Sequence, residues 1–494
     1  MKNRRFIITY LLCLITVQGF SQNSWYVSEN GNDITGTGSE VNPWATITNA
    51  MDESFVVDGD SINIIGTLTN DVMSEFGIQI FKDLVFIGVA KETSIIQADI
   101  AVSSATGRVL TIWDVAEVKL INLTIRNGYF DANSFQSGAG ILNWGNLTIE
   151  NCIVMDNYCE NSFLGGGIYN QFGTLILSNT YIHSNFSMFG GAGMVTEGGS
   201  VIIEKSSFAL NFTQQNLAGG GAIYITDAAD VSITNSTLYF NLLGLNSFGA
   251  GVFIKADDGD ISVDIVNTTI ADNEAGDGSF GHGIYIDNET LNNVSLTLLN
   301  CIISNGNSEN YGQNGSGIIS IERTNTLSSD ASLQDGGING NINNSNPMIE
   351  TFMDHGGLTP TCSIGETSPA VNIGNDEGAP DTDQRGFPRE GITDMGSFEF
   401  QLNTAISEKR DISIVDLYPN PASGIVNIIF YTHYSNIEYE MYDCSGNNLK
   451  VNFVEITPRH IQIDLSDMPN GIYFLKMVSQ DSKLSESVKI VVAV

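Results

Sequence analysis

The apolar positions of this chain repeat on a scale far longer than a helical turn. "GAGILN" begins at 138, "GGGIYN" at 165, "GAGMVT" at 191, "GGAIYI" at 220, "GAGVFI" at 249 and "GHGIYI" at 281. Their fourth letters (Ile141, Ile168, Met194, Ile223, Val252 and Ile284) lie 27, 26, 29, 29 and 32 residues apart. A second motif follows each one: "LTIEN", "LILSN", "VIIEK", "VSITN", "VDIVN" and "LTLLN". Strict alternation within it puts Leu175, Leu177 and Asn179 on one face, and Val231, Ile233 and Asn235 on the equivalent face. Asn122, Asn151, Asn179, Asn235, Asn267 and Asn300 collect in one column, which Lys205 interrupts.

Short alternating strands at a fixed long period are what a parallel β-solenoid requires. Successive coils stack at about 4.8 Å, so like residues pile on like. An inward asparagine then bonds its equivalents above and below, at about 0.5–1.5 kcal/mol each, whereas an unpaired buried amide costs about 1–3. The six asparagines are therefore expected to form a structural ladder. The less regular stretches "SINIIG", "LVFIGV", "RVLTIWD" and "VKLINLTIRNG" bring the expectation to about ten coils between residues 60 and 345. Ahead of them "NPWATITNAM" (42–51) reads as a short amphipathic helix that covers the first apolar cross-section. The fold class is all-β, with a helical cap at its N-terminal end.

The ends of the chain have a different character. Residues 1–21 begin with Lys2, Arg4 and Arg5, continue with an apolar run from Phe6 to Val17, and offer small residues ahead of a cut before Gln22. This is the pattern of an export signal, too short to span a bilayer. No later stretch reads as transmembrane. Residues 22–345 are assigned to the solenoid with its cap, 346–400 to final coils and a closing cap, 401–415 to a polar linker, and 416–494 to a separate domain. In that last segment, alternating strands with Asn-Gly and Ser-Gly turns predict a small Ig-like sandwich.

Composition narrows the functional classes. The formal charge is −36 and becomes −39 once the signal, with its three cations and no acid, is removed. Such a chain repels nucleic acid and anionic lipid, and attracts divalent cations or basic partners. A monomer is expected. Cys152 and Cys301 occupy one column five coils apart, about 24 Å, beyond the roughly 7 Å reach of a disulfide. Cys152 with Cys159 is the one plausible bridge, and buried free thiols are the alternative.

Three groups carry candidate chemistry. The residues after the inward isoleucines include Tyr169, Tyr224, Phe253 and Tyr285, an aromatic strip suited to sugar faces unless loops bury it. The turn "ADDGD" offers Asp257, Asp258 and Asp260 to calcium, though ordinary solvated Asx turns look the same. His282 stands between two glycines, 24 residues after Asp258, but its column otherwise holds Ala139, Gly166, Ala192, Gly221 and Ala250. That assigns it to the scaffold and leaves the catalytic residue list empty.

Several stretches resemble known families. "WYVSENGNDITGTG", "NPWATITNAM" and "DGDSINIIG" look like the entry into secreted right-handed parallel β-helix proteins of the pectate-lyase-like fold. "FALN" and the Gly-Gly-x-Ile units resemble repeats of polymorphic outer-membrane proteins and autotransporter adhesins. The hydrolases of that fold would need an Asn-x-Asp one coil before Asp257 and an Arg-x-Lys after His282; neither is present. A lyase would need a basic residue beside carboxylate-bound calcium, and Lys119, Arg126, Lys205 and Lys255 share no column. "DHGGLTPT", "SPAVNIGN", "DTDQRGFPR" and "DMGSFEF" resemble the choice-of-anchor (Q type) region, where Arg385 and Arg389 read as ion-pair partners of nearby acids. "LYPNPASGIVNI", "YEMYDCSGNNL" and "IDLSDMPNGIYFLKM" resemble the type A C-terminal sorting domain of type IX secretion. That resemblance implies passage across the outer membrane by the type IX machinery and processing by its sortase-like transpeptidase. Two functions stay open: a non-catalytic, adhesin-like binder of glycans or surfaces, or a polysaccharide lyase or glycoside hydrolase.

Overall fold

A computed structural model describes residues 23–401 apart from 71–75, 131–136, 161–163, 306–308 and 334–337. In the second part it describes 415–492 apart from 419–421, 423, 431–436, 458–459, 467 and 480–483. The proposed signal at 1–21 and nearly all of the linker lie outside the described residues.

The alternating motifs become strands whose partners are the same motif one coil on. Asn146–Glu150 pairs in parallel with Thr174–Ser178, and Leu147, Ile149, Leu175 and Leu177 all turn inward. Repeating this step builds a β-solenoid with a sheet of 18 strands, a second of ten and a third of six, all parallel. The ten-stranded sheet runs from Thr67–Thr69 to Leu327–Ser328. One continuous apolar core fills the interior from Val27 to Leu333. At the N-terminal end, helix α1 (Ile47–Asp52) buries Ile47 and Ala50 over that core, and Thr46 caps it by accepting from Asn49 N. Trp44 lies fully buried beside it, 5.5 Å from Trp25.

The asparagine column behaves differently from the ladder that alternation implies. Asn122, Asn151, Asn179, Asn235, Asn267 and Asn300 all have φ between 44° and 55°, and so does the interrupting Lys205 (50°). They sit at the corner between the first and second sheets, in the left-handed state that asparagine tolerates best among non-glycine residues. Only two of the expected side-chain steps form: Asn151 donates to Asn122 (2.7 Å) and Asn300 to Asn267 (3.1 Å). Asn179 turns to Ser178, and Asn235 turns outward to Thr382 O. The corner conformation, more than stacking, explains why this letter recurs.

The continuous inward ladder lies one corner further on. Asn157, Asn185, Asn211, Asn241, Asn273, Asn305 and Asn310 are buried, and each amide donates to the next over 2.8–3.1 Å. Backbone carbonyls such as Ile125 O, Val154 O and Ile182 O take further amide hydrogens.

Residues 346–400 correct a second expectation. They do not continue the coils; they form a strap over the outside of the second sheet. Leu358 O receives Lys91 Nζ, Thr359 donates to Lys205 O, Thr361 meets Thr237, and Ile373 O receives Asn325. Gln384 is buried among Ser207, Thr237 and Thr359. The expected ion pairs form inside the strap, Arg385 with Asp383 at 2.7 Å and Arg389 with Glu399 at 2.9 Å. The Arg385 guanidinium also packs on the rings of Phe387 and Phe398, 4.7 and 3.6 Å from their centroids. A strap replaces coils here because irregular, Gly- and Pro-rich backbone cannot supply the alternating apolar face that another rung needs.

Residues 415–492 form two four-stranded antiparallel sheets. Val426, Ile428, Phe430, Met441, Ile463, Leu475, Met477 and Ile490 meet in their common core. The small sandwich is present as the turn pattern predicts.

Candidate functional site

The long sheet presents two outward columns in its first segment. Tyr169, Tyr224, Phe253 and Tyr285 do line up on neighbouring coils, with Tyr224–Phe253 at 4.9 Å and Phe253–Tyr285 at 6.0 Å. They are not an open strip. A ridge of parallel bridges through Leu164, Gly190, Gly219, Phe248 and Phe280 lies against them. Tyr169, Phe253 and Tyr285 are buried and Tyr224 is half-buried. Gly219 presses so close that an added Cβ would come within 2.0 Å of the Phe253 ring. Burial pushes the tyrosine hydroxyls up, and at Tyr224 the nearby Asp257, Asp227, Asp287 and Glu197 add to the effect.

The next outward column stays at the surface. It runs Phe81, Trp113, Trp144, Gln171, Glu197, Thr226, Lys255, Asp287 and Asn314. Phe81 is 54% exposed, and Trp113 and Trp144 are half-buried with their rings tilted by 50°. Trp144 Nε1 donates to Gln171 Oε1 (2.5 Å), and Gln171 Nε2 donates to Glu197 Oε1 (3.1 Å). The Tyr169 hydroxyl takes the other oxygen of Glu197. None of these three aromatics is among the candidates drawn from the repeat, because Phe81 and Trp113 lie in the irregular early coils and, within the regular ones, Trp144 heads a column that is otherwise polar. Setting "LTIW" over "ILNW" would have found Trp113. A third aromatic row, Tyr129, Tyr158 and Phe186, runs on the six-stranded sheet. There the rings of Tyr158 and Phe186 lie 4.0 Å apart and 5° from parallel, each covering the other's face.

The acidic turn does not converge. Asp257 pairs with Lys255 at 2.6 Å, Asp258 N donates to Asp227, and Asp260 accepts from the backbone and amide of Asn293. Among the described residues no group of three or more His, Cys, Asp or Glu side chains is arranged to hold a metal. In this arrangement the carboxylates of Asp257 and Asp260 serve separate contacts within their turns. His282 is buried, and burial lowers its pKa. Its neighbours in the column are the glycines and alanines of the scaffold. Cys152, Cys159 and Cys301 are free thiols in the interior; burial raises each to about 12, which makes them inert.

The C-terminal sandwich decides the destination of the chain. Residues 416–493 match the family described as secretion system C-terminal sorting domain. A sorting tail of this kind implies export by the type IX machinery to the cell surface or the extracellular space. No curated protein and no solved structure matches the chain. Among the described residues no helix is long and apolar enough to cross a membrane.

Proposed function

We propose that the protein is an adhesin-like β-solenoid that binds polysaccharide outside the cell without cleaving it. The observation that carries this reading is the half-exposed row in which Trp144 donates to Gln171 and Gln171 to Glu197. Tilted aromatic rings beside planar amide and carboxylate groups suit a sugar, whose apolar faces are rimmed by hydroxyls. Tyr169 and Gln171 each donate to one oxygen of Glu197, which fixes the carboxylate in place and leaves its remaining lone pairs to accept from sugar hydroxyls. Without a converging acid–base pair the row favours retention over cleavage.

The test is a panel of neutral and acidic polysaccharides incubated with the purified protein. Retention with no new reducing or unsaturated ends supports the proposal. New ends would make the protein a polysaccharide lyase or glycoside hydrolase instead. Replacing Trp144 by alanine should lower retention by about tenfold, equivalent to about 1.4 kcal/mol.

A further inference from the structure

Phe172 breaks a local rule. It has φ of +56° and is 67% exposed, although bulky residues rarely take the left-handed state. The same corner on the next two coils carries Gly198 (φ +68°) and Asp227 (φ +57°), residue types that adopt it readily. Two other bulky left-handed residues of the solenoid gain something in return: Leu210 and Phe240 are buried in a cluster with Phe352 and Cys362 of the strap. Phe172 gains no such burial. Leu217 and Met348 are likewise exposed and left-handed, so exposure is not the whole argument; the setting of Phe172 is.

That setting is polar and continuous with the outward row. Phe172 follows Gln171 directly, and its N–H donates to Glu197 O at 2.9 Å. Its ring lies over the next coil, where a Cβ added to Gly198 would sit 2.6 Å from Phe172 Cδ1. Glycine there lets the ring settle onto backbone and leaves much of its surface in solvent. An aromatic whose ring rests on Gly198 and is otherwise exposed gains little packing for its backbone strain, and an outlier of this kind points to function.

We propose that Phe172 is the stacking platform of a sugar subsite completed by Gln171 and Glu197, and that its ligand is an uncharged polysaccharide. The proposal rests on the polysaccharide-binding reading above. The choice of ligand class follows from charge. Glu197 lies in the row, Asp227 at the equivalent corner two coils from Phe172, and Asp257, Asp258 and Asp287 on the coils beyond. Lys255, the cation of the row, is held by Asp257. A polyuronate carries one negative charge per sugar and would meet carboxylates at the spacing of the coils, about 4.8 Å. That is well inside the screening length of about 8 Å at physiological salt. An uncharged chain meets hydrogen-bond acceptors and an aromatic face instead.

The experiment compares full-length wild-type protein with Phe172→Gly on immobilised xyloglucan, β-1,3-glucan and galactomannan, and on polygalacturonate and alginate with EDTA or with calcium. Glycine relieves the backbone strain, so the variant should melt at or above the wild-type temperature while losing at least fivefold in retention on the neutral polymer. A lowered melting temperature with unchanged retention would make Phe172 a packing residue and overturn the subsite. Retention confined to polyuronates, with or without calcium, would overturn the ligand class while leaving polysaccharide binding intact. Retention on none of the five polymers would overturn the binding reading and the subsite together.

Discussion

Individual side chains in this protein are chosen for two different reasons that look alike in the sequence. Asn241 is buried and donates to Phe208 O, Tyr239 O and Asn273, while its own oxygen accepts from Asn211. Asn151 is half-buried at a left-handed corner and reaches Asn122. Asn241→Ala strands several buried partners and should cost about 3 kcal/mol in denaturant unfolding; Asn151→Ala should cost less, about 1–2, chiefly for placing alanine in the left-handed state. Both columns repeat at one period, so periodicity alone cannot tell which of them points inward. The answer depends on where the corners fall, and alternation read along a single strand cannot cross a corner. His460 makes a titratable counterpart. Its ring is buried, and burial lowers its pKa to about 4. A depressed folded pKa means that its contribution is complete above the unfolded value near 6.5 and is lost as pH falls towards 4. Unfolding of the sorting domain, followed by denaturant at several pH values, should show a loss of roughly 3 kcal/mol across that window. His460→Phe should flatten it.

At the scale of elements, regular strands were legible and the strap was not. The Gly-x-Gly-Ile and Asn-terminated motifs specify rungs because each letter meets its own copy one coil away. Residues 346–400 repeat nothing, so their partners are set by shape and by buried hydrogen bonds rather than by pattern. Tyr169, Tyr224, Phe253 and Tyr285 share a column, but the ridge that covers it is built of isolated bridges through Leu164, Gly190, Gly219, Phe248 and Phe280 that carry no strand signal. The strap depends heavily on Arg389, whose guanidinium meets Glu399, Asn235 and Gly396 O with almost no exposure. Arg389→Met leaves Glu399 buried without its cation, and the strap should lose about 3–5 kcal/mol in equilibrium unfolding. Adding Glu399→Gln to that variant should restore part of the loss.

For the molecule as a whole, the two halves pose separate problems. The sorting domain fixes where the chain goes, and its removal should leave the solenoid on the inner side of the outer membrane, as cell fractionation would detect. The solenoid poses a problem of integrity, because stacked repeats touch only their immediate neighbours and tend to open from one end, coil by coil. Here the strap bonds Lys91, Lys205, Asn235, Asn267, Asn300 and Asn325, sites spread along most of the length of the stack. Fraying at one end therefore drags on contacts many rungs away. Heat or denaturant should melt the stack in a single cooperative step, and a cut in the backbone of the strap should split that step into several.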